Sequence, residues 1–278
     1  MAVMSVVPAL VASAGSVEGL MSGGGFEQDP LRTGYLFGDF DLIAAEGAWR
    51  LSLGMFGVVG RLHETYADVS YDTGKVRTSL GFPRPAYDGV AASALTDIMP
   101  RLALESIGIS RSRATYGTMY QSDYLPFGAV IAGETGALAY AVSLHGVPDY
   151  GTVIAGSGVS FGQGNWRFDL GAEAVDQDDR LDWNTKGQVV LVQDRLTLAL
   201  GAYHPAANAQ PDALELSARY DLTSQLQVTA LTRQIRADEA TQAIGARYRV
   251  TDALAFDLGI TETGNPDKAV SVAVRYAF

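Results

Sequence analysis

The sequence predicts an all-β chain: a transmembrane antiparallel β-barrel of about 16 strands, with a long inward-folded third loop. Three observations predict the barrel. The stretch from Lys268 to Phe278 alternates without a break, placing Val270, Val272, Val274, Tyr276 and Phe278 on one face. Ala269, Ser271, Ala273, Arg275 and Ala277 take the other face. About ten such residues are enough to cross a bilayer as a tilted strand. The same pattern recurs along most of the chain. The connections also keep a rhythm, short turns taking turns with longer or more polar links, as in barrels with short turns on one side of the membrane.

In order, Ser16 to Phe26 is a weak, Gly-rich strand, and Gly34 to Ala44 places Leu36, Phe40 and Leu42 opposite Tyr35, Phe37, Asp39 and Asp41. After the turn at Ala45-Glu46-Gly47, Trp49, Leu51, Leu53 and Met55 oppose Arg50, Ser52, Gly54 and Phe56. Glu64 to Asp72 and Val76 to Phe82 form a hairpin around Asp72-Thr73-Gly74. From Pro83 to about Tyr124 the alternation stops. That stretch is far longer than an ordinary connection, and such loops are usually functional. A helix-like run spans Ala92 to Ile107. Its apolar residues Ile98, Met99, Leu102, Leu104 and Ile107 need cover from water, which folding into the barrel supplies.

Alternation resumes with Phe127 to Gly133, Leu138 to His145 and Tyr150 to Phe161. Trp166, Phe168, Leu170 and Ala172 oppose Arg167, Asp169 and Glu173, and an acidic loop from Asp176 to Thr185 leads to Gly187 to Val192. Five further strands begin near Leu196, Leu214, Leu226, Ile244 and Leu254, before the terminal strand. Gly156-Ser157-Gly158, inside a strand, is a close-packing point.

Composition sets the class. Among 278 residues there is no Cys, the formal net charge is −11 and the mean hydropathy is +0.08. No Cys means no disulfide or thiolate chemistry, and suits export through an oxidising compartment. The acidic balance argues against general nucleic-acid binding. Beyond the first segment no run is long and apolar enough for a membrane helix, whereas a barrel hides its apolar signal in every second residue. Met1 to Ala14 is an apolar run ending in Ala12-Ser13-Ala14 and lacking a basic start. It is expected to be a signal peptide cleaved after Ala14, leaving residues 15–278 as the barrel.

The series, with its longest link after the fifth strand, resembles the Gram-negative general porins, most closely the alphaproteobacterial type. The residues that carry the resemblance are Asp72-Thr73-Gly74-Lys75-Val76-Arg77-Thr78-Ser79-Leu80-Gly81-Phe82, Ala243-Ile244-Gly245-Ala246-Arg247-Tyr248 and Val272-Ala273-Val274-Arg275-Tyr276-Ala277-Phe278. The resemblance implies a 16-stranded barrel in the bacterial outer membrane, a homotrimer, and passive diffusion of small hydrophilic solutes and ions. It also implies that the terminal aromatic marks the chain for assembly. The chain departs from the family in its short outer loops.

Charges on the inner face of a water-filled barrel tune its selectivity. Alternation assigns Arg50, Arg77, Arg167, Arg219, Arg247 and Arg275 to that face, and the long loop supplies Asp88, Asp97 and Glu105. In porins the loop acids face wall arginines across a constriction, so these nine residues are the expected pore lining. No catalytic residue, metal site or cofactor is expected. His63, His145 and His204 lie far apart without ligand spacing, and the acids of Asp176-Gln177-Asp178-Asp179 lack an EF-hand pattern. Two other readings stay open: a barrel enzyme of lipase or protease type, and a barrel with a structural or adhesive role.

Overall fold

A computed structural model describes residues 14–28, 31–44, 47–58, 63–99, 105–120, 123–235, 240–263 and 268–278. Strands β1 (Ala14–Gln28), β2 (Leu31–Ala44), β3 (Trp49–Val58), β4 (His63–Asp72) and β5 (Val76–Phe82) precede the long segment. After it come β6 (Phe127–Thr135), β7 (Leu138–Val147), β8 (Thr152–Gln163), β9 (Trp166–Gln177), β10 (Arg180–Gln193) and β11 (Leu196–Pro205). The series ends with β12 (Ala213–Asp221), β13 (Leu226–Ile235), β14 (Thr241–Arg249), β15 (Leu254–Glu262) and β16 (Lys268–Ala277). Each strand pairs antiparallel with its sequence neighbours, and β1 pairs with β16, closing a barrel of 16 strands among the described residues. The expected cleavage segment lies outside the described residues except for Ala14, which opens β1.

Alternation divides every strand between two environments. Leu170, Leu200, Leu214, Leu216, Leu258 and Val272 are exposed on the outside. Asp169, Glu173, Ser217, Thr229 and Ser271, one residue out of phase, are buried on the inside. Near the chain termini, Trp49, Tyr71, Phe161, Trp166, Tyr220, Tyr248 and Tyr276 point outward as an aromatic belt. Such belts mark the level of a membrane interface. No helix of the described residues is long and apolar enough to cross a membrane.

Two local expectations are corrected. The acidic stretch Asp176 to Thr185 is not a loop. β9 runs to Gln177, β10 starts at Arg180, and Asp178 and Asp179 form a two-residue turn with φ of 54° and 61°. Aspartate tolerates the left-handed region that such a hairpin turn requires. Nor is Ala92 to Ile107 one helix. A single turn, α1 (Leu95–Ile98), ends at Met99, which is extended at φ −123°, ψ 152°. Met99 precedes Pro100, whose ring disfavours a helical residue before it. The chain re-enters as a 3-10 segment at Glu105–Ser110 and a helix, α2 (Arg113–Tyr120).

Candidate functional site: the segment against the inner wall

The segment between β5 and β6 makes its contacts with the face opposite the outward leucines. Leu95, Ile98 and Met99 pack with Phe26, Phe56, Val58, Leu231, Ala243 and Ala269, drawn from five strands. Ala114 and Tyr124 pack with Val147, Ile154 and Val175, and Ile109 with Tyr203 and Ala213. Glycines on the wall make this approach possible. A Cβ at Gly259 would stand 2.0 Å from the Ile98 carbonyl oxygen, and one at Gly158 would stand 2.7 Å from that of Ala86. Gly158 thus fits its reading as a close-packing point.

Polar contacts fix the segment more specifically, through one arrangement used twice. Ser93 Oγ donates to Glu215 Oε2 at 2.6 Å, the Ala94 N–H donates to Glu215 Oε1 at 2.8 Å, and the Leu95 N–H donates back to Ser93 Oγ at 3.1 Å. At α2, Ser112 Oγ donates to Glu173 Oε2, the Arg113 N–H donates to Glu173 Oε1 at 2.7 Å, and the Ala114 N–H donates to Ser112 Oγ at 3.1 Å. A serine thus satisfies N–H groups that open a helical turn, and a wall carboxylate takes the rest. Both carboxylates are buried, and each has a donor from the next strand. Arg233 Nε and Nη2 reach Glu215 Oε2 at 3.0 and 2.7 Å, and Asn184 Nδ2 reaches Glu173 Oε1 at 2.8 Å. Further ties run from Lys186 Nζ to the Ser110 carbonyl (2.8 Å), from Ser271 Oγ to the Ile98 carbonyl (3.1 Å) and from the Ala86 N–H to Ser143 Oγ (3.0 Å). Lys186 Nζ also sits 4.2 Å from the Tyr87 ring centroid.

The expected lining residues fall into several positions. Arg50, Arg77, Arg167, Arg219, Arg247 and Arg275 all stand on the inner face, in the half of the barrel nearest the termini. They do not form a bare positive wall facing loop acids. Arg50 pairs with Asp41 at 2.5 Å, Arg77 with Asp72 at 3.1 Å and Arg167 with Asp169 at 3.0 Å. Arg247 and Arg275 share Asp257, at 2.7 and 3.1 Å. The cause is strand spacing. A carboxylate directly opposite is about 5 Å away, and one on the diagonal or two residues along the same strand about 7 Å, so each is reached before any group across the lumen.

Asp97 does meet a wall arginine, in direct contact with Arg219. Asp88 instead faces into its own segment. It accepts from the Ser112 N–H at 2.6 Å and from Thr115 Oγ1, with Arg111 Nη1 3.8 Å away. Burial opposes the Arg111 charge, but the carboxylates of Glu64 and Asp88 outweigh it and hold the guanidinium above its ordinary pKa. Glu105 opens the 3-10 segment, and its side chain lies outside the described residues, as do Leu102 and Leu104.

Sequence reasoning missed Glu173, Glu215, Arg233 and Lys186 as determinants of the site. Alternation already assigns Glu173 and Glu215 to the inner face, but nothing local marks which inner charges a distant segment will use. The available signal is the pair of Ser-x-x runs at Ser93 and Ser112, each able to open a helical turn. His145, which an enzyme reading would recruit, is buried with Nε2 3.1 Å from the Pro83 carbonyl oxygen.

Between residues 89–97 and strands β8 to β13 lies a cavity of about 370 Å³. Ser160, Thr197, Ser217 and Thr229 contribute hydroxyls to it, with Arg167–Asp169 and Arg219–Asp97 as its charged pairs.

A closed 16-stranded antiparallel barrel with a long segment packed on its inner wall defines the architecture. No protein-family model matches the chain, and no curated protein sequence matches it. Its structure is similar to solved structures of the porin of Rhodopseudomonas blastica. A triple-substituted form has a TM-score of 0.73 at 16% sequence identity, over 95% of this chain and 99% of that one. A second variant of that porin has a TM-score of 0.72 over the same shares, also at 16% identity. The likeness at this identity is one of fold: the chain has the fold of that porin.

Proposed function

We propose that the protein is an outer-membrane porin, a water-filled channel for passive diffusion of small hydrophilic solutes and ions. The observation that carries this reading is the division of the strands between an apolar outer face and an inner face that holds the polar and charged residues, around a segment tied to the inner wall. The likeness to the Rhodopseudomonas blastica porin supports it. In this reading residues 83–126 narrow the passage. Asp97, Arg219 and Arg167 meet the solute there, with Asp169 as the buried partner of Arg167, while Arg50, Arg77, Arg247 and Arg275 with their aspartates line the mouth nearest the termini. Asp88 shapes the segment rather than the stream. The outward leucines face lipid or neighbouring copies in a homotrimer, and residues 1–14 are removed during export.

Planar-bilayer recording tests this. The purified protein should open discrete channels, and removal of residues 90–110 should raise the single-channel conductance. An unchanged conductance would place the constriction elsewhere, and no channel at all would sink the reading.

A further inference from the structure

The cavity between residues 89–97 and the inner wall is built from two rows of the sheet. Its volume of about 370 Å³ falls in the range of small-molecule sites. Register sets Arg167 (β9), Val190 (β10), Ala199 (β11) and Ser217 (β12) in one row across four strands. The next row towards the termini is Thr197, Arg219 and Thr229. Val90 and Ala94 line the cavity from the segment.

The polar groups of this cavity are not equivalent. Asp169 is fully engaged: its side chain is 4% exposed, Ser160 Oγ donates to Oδ1 at 2.6 Å, and Arg167 Nε donates to Oδ2 at 3.0 Å. Arg167 itself is 51% exposed, and the bond through Nε leaves its two terminal nitrogens to the cavity. At the other end Arg219 Nη2 holds Asp97 Oδ2, which leaves Oδ1 as an acceptor. Ser217 and Thr229 are each 7% exposed, yet their hydroxyls have no hydrogen-bond partner among the described residues, and neither has that of Thr197. Buried polar side chains are normally partnered, so these hydroxyls suit a ligand that brings donors and acceptors.

We propose that the cavity binds a sugar acid of hexuronate type, its carboxylate at Arg167 and its hydroxyls at Thr197, Ser217 and Asp97. The proposal rests on the channel reading and names a solute class for it. The paired terminal nitrogens of Arg167 match the two oxygens of a carboxylate. Three strand spacings separate the backbones of Arg167 and Ser217 by roughly 14 Å. An extended arginine covers about 6 Å of this and a serine about 2 Å, leaving roughly 6 Å, the span of a sugar ring with its carboxylate. Val190 and Ala199 lie between the two polar ends and meet the C–H face of the ring. Ring hydroxyls donate to Asp97 Oδ1 and exchange hydrogen bonds with Thr197 and Ser217.

The test is calorimetric titration of the full chain in detergent micelles with potassium D-glucuronate, D-glucose and potassium butyrate. Glucose has the hydroxyls without the carboxylate, and butyrate the reverse. Glucuronate should bind saturably at one per chain, and each of the other two about tenfold more weakly or worse, the loss of one charged hydrogen bond or of several neutral ones. Arg167→Gln should lower glucuronate affinity about tenfold, to the level of glucose. Ser217→Ala, a smaller change to the wall, should lower it about fivefold, the loss of one neutral hydrogen bond, and leave butyrate unaffected. Glucose or butyrate binding as tightly as glucuronate, or glucuronate affinity that survives Arg167→Gln, would overturn the proposal. Planar-bilayer recording of the same preparations keeps the two readings apart. Open channels without saturable glucuronate binding refute the site alone. Binding by a chain that opens no channel supports the site and refutes the channel, and a chain with neither refutes both.

Discussion

Arg219 and Asp97 touch, and in the proposed channel that contact governs what either charge does to a passing ion. Each side chain is 40% exposed, so the pair sits in water and largely cancels at a distance. Arg219→Ala would leave a lone carboxylate beside the cavity and raise the preference for cations. Asp97→Ala would leave a lone guanidinium and raise the preference for anions. A unit charge about 8 Å from an ion in water acts with about 0.5 kcal/mol, so each change should alter the permeability ratio about twofold. Reversal potentials in a salt gradient measure this, and shifts of the same sign for both variants would contradict the pairing. Arg50→Ala should also favour cations, because it uncovers Asp41. The arginines were legible from alternation, since each stands out of phase with a row of outward leucines. Their partners were not, because Asp41, Asp72 and Asp257 are chosen by cross-strand and diagonal register, which one strand's sequence does not contain.

At the scale of elements, the segment between β5 and β6 is held by two glutamates that fold and wall share. Glu215 is the more consequential. Its partner Arg233 is fully buried, so Glu215→Ala would take away the carboxylate that Arg233 Nε and Nη2 hold and cost roughly 3–5 kcal/mol. Urea unfolding from lipid vesicles should show a clear loss of stability for Glu215→Ala and a smaller one for Glu215→Gln, which keeps an acceptor. Similar stabilities for both would mean that the buried pair contributes little. The strands invite a second comparison. Leu200 points outward in the middle of β11, and Thr197 points into the cavity. Leu200→Arg should cost about 2–4 kcal/mol of folding free energy in lipid, and Thr197→Arg much less. Equal costs would show that the assigned faces are wrong. The strands were readable because an apolar outer face set against a polar inner face enforces period two. The interior of the segment was not, because it borrows its cover from Phe26, Phe56 and Leu231, far away in sequence. There the break before Pro100 outweighed the helix-like pattern.

At the scale of the molecule, the first and last strands meet. Leu20 pairs with Ala277, and the register continues to Gln28 opposite Ala269. The Gly19 N–H donates to the Phe278 carbonyl at 2.9 Å, and the Phe278 N–H donates to the Gly19 carbonyl at 3.0 Å. Deleting Phe278 removes both bonds and its ring contact with Phe40, at 5.9 Å between centroids. The shortened chain should lose its resistance to unfolding in warm detergent at a lower temperature than the full chain. Migration of the two on unheated gels checks this. The seam also dictates a timetable. Its partners are separated by nearly the whole sequence, so the contact that ends assembly is among the most non-local the chain makes, and such contacts form slowly. Until it forms, β1 and β16 each present a row of unpaired N–H and C=O groups, which hydrocarbon penalises by several kcal/mol apiece. Partial cylinders therefore have no resting state in the bilayer. A chain halted after β15 has two bare edges and no neighbour for either, so it is exposed to aggregation and proteolysis, whereas the complete chain passes from vulnerable to sealed in one cooperative event.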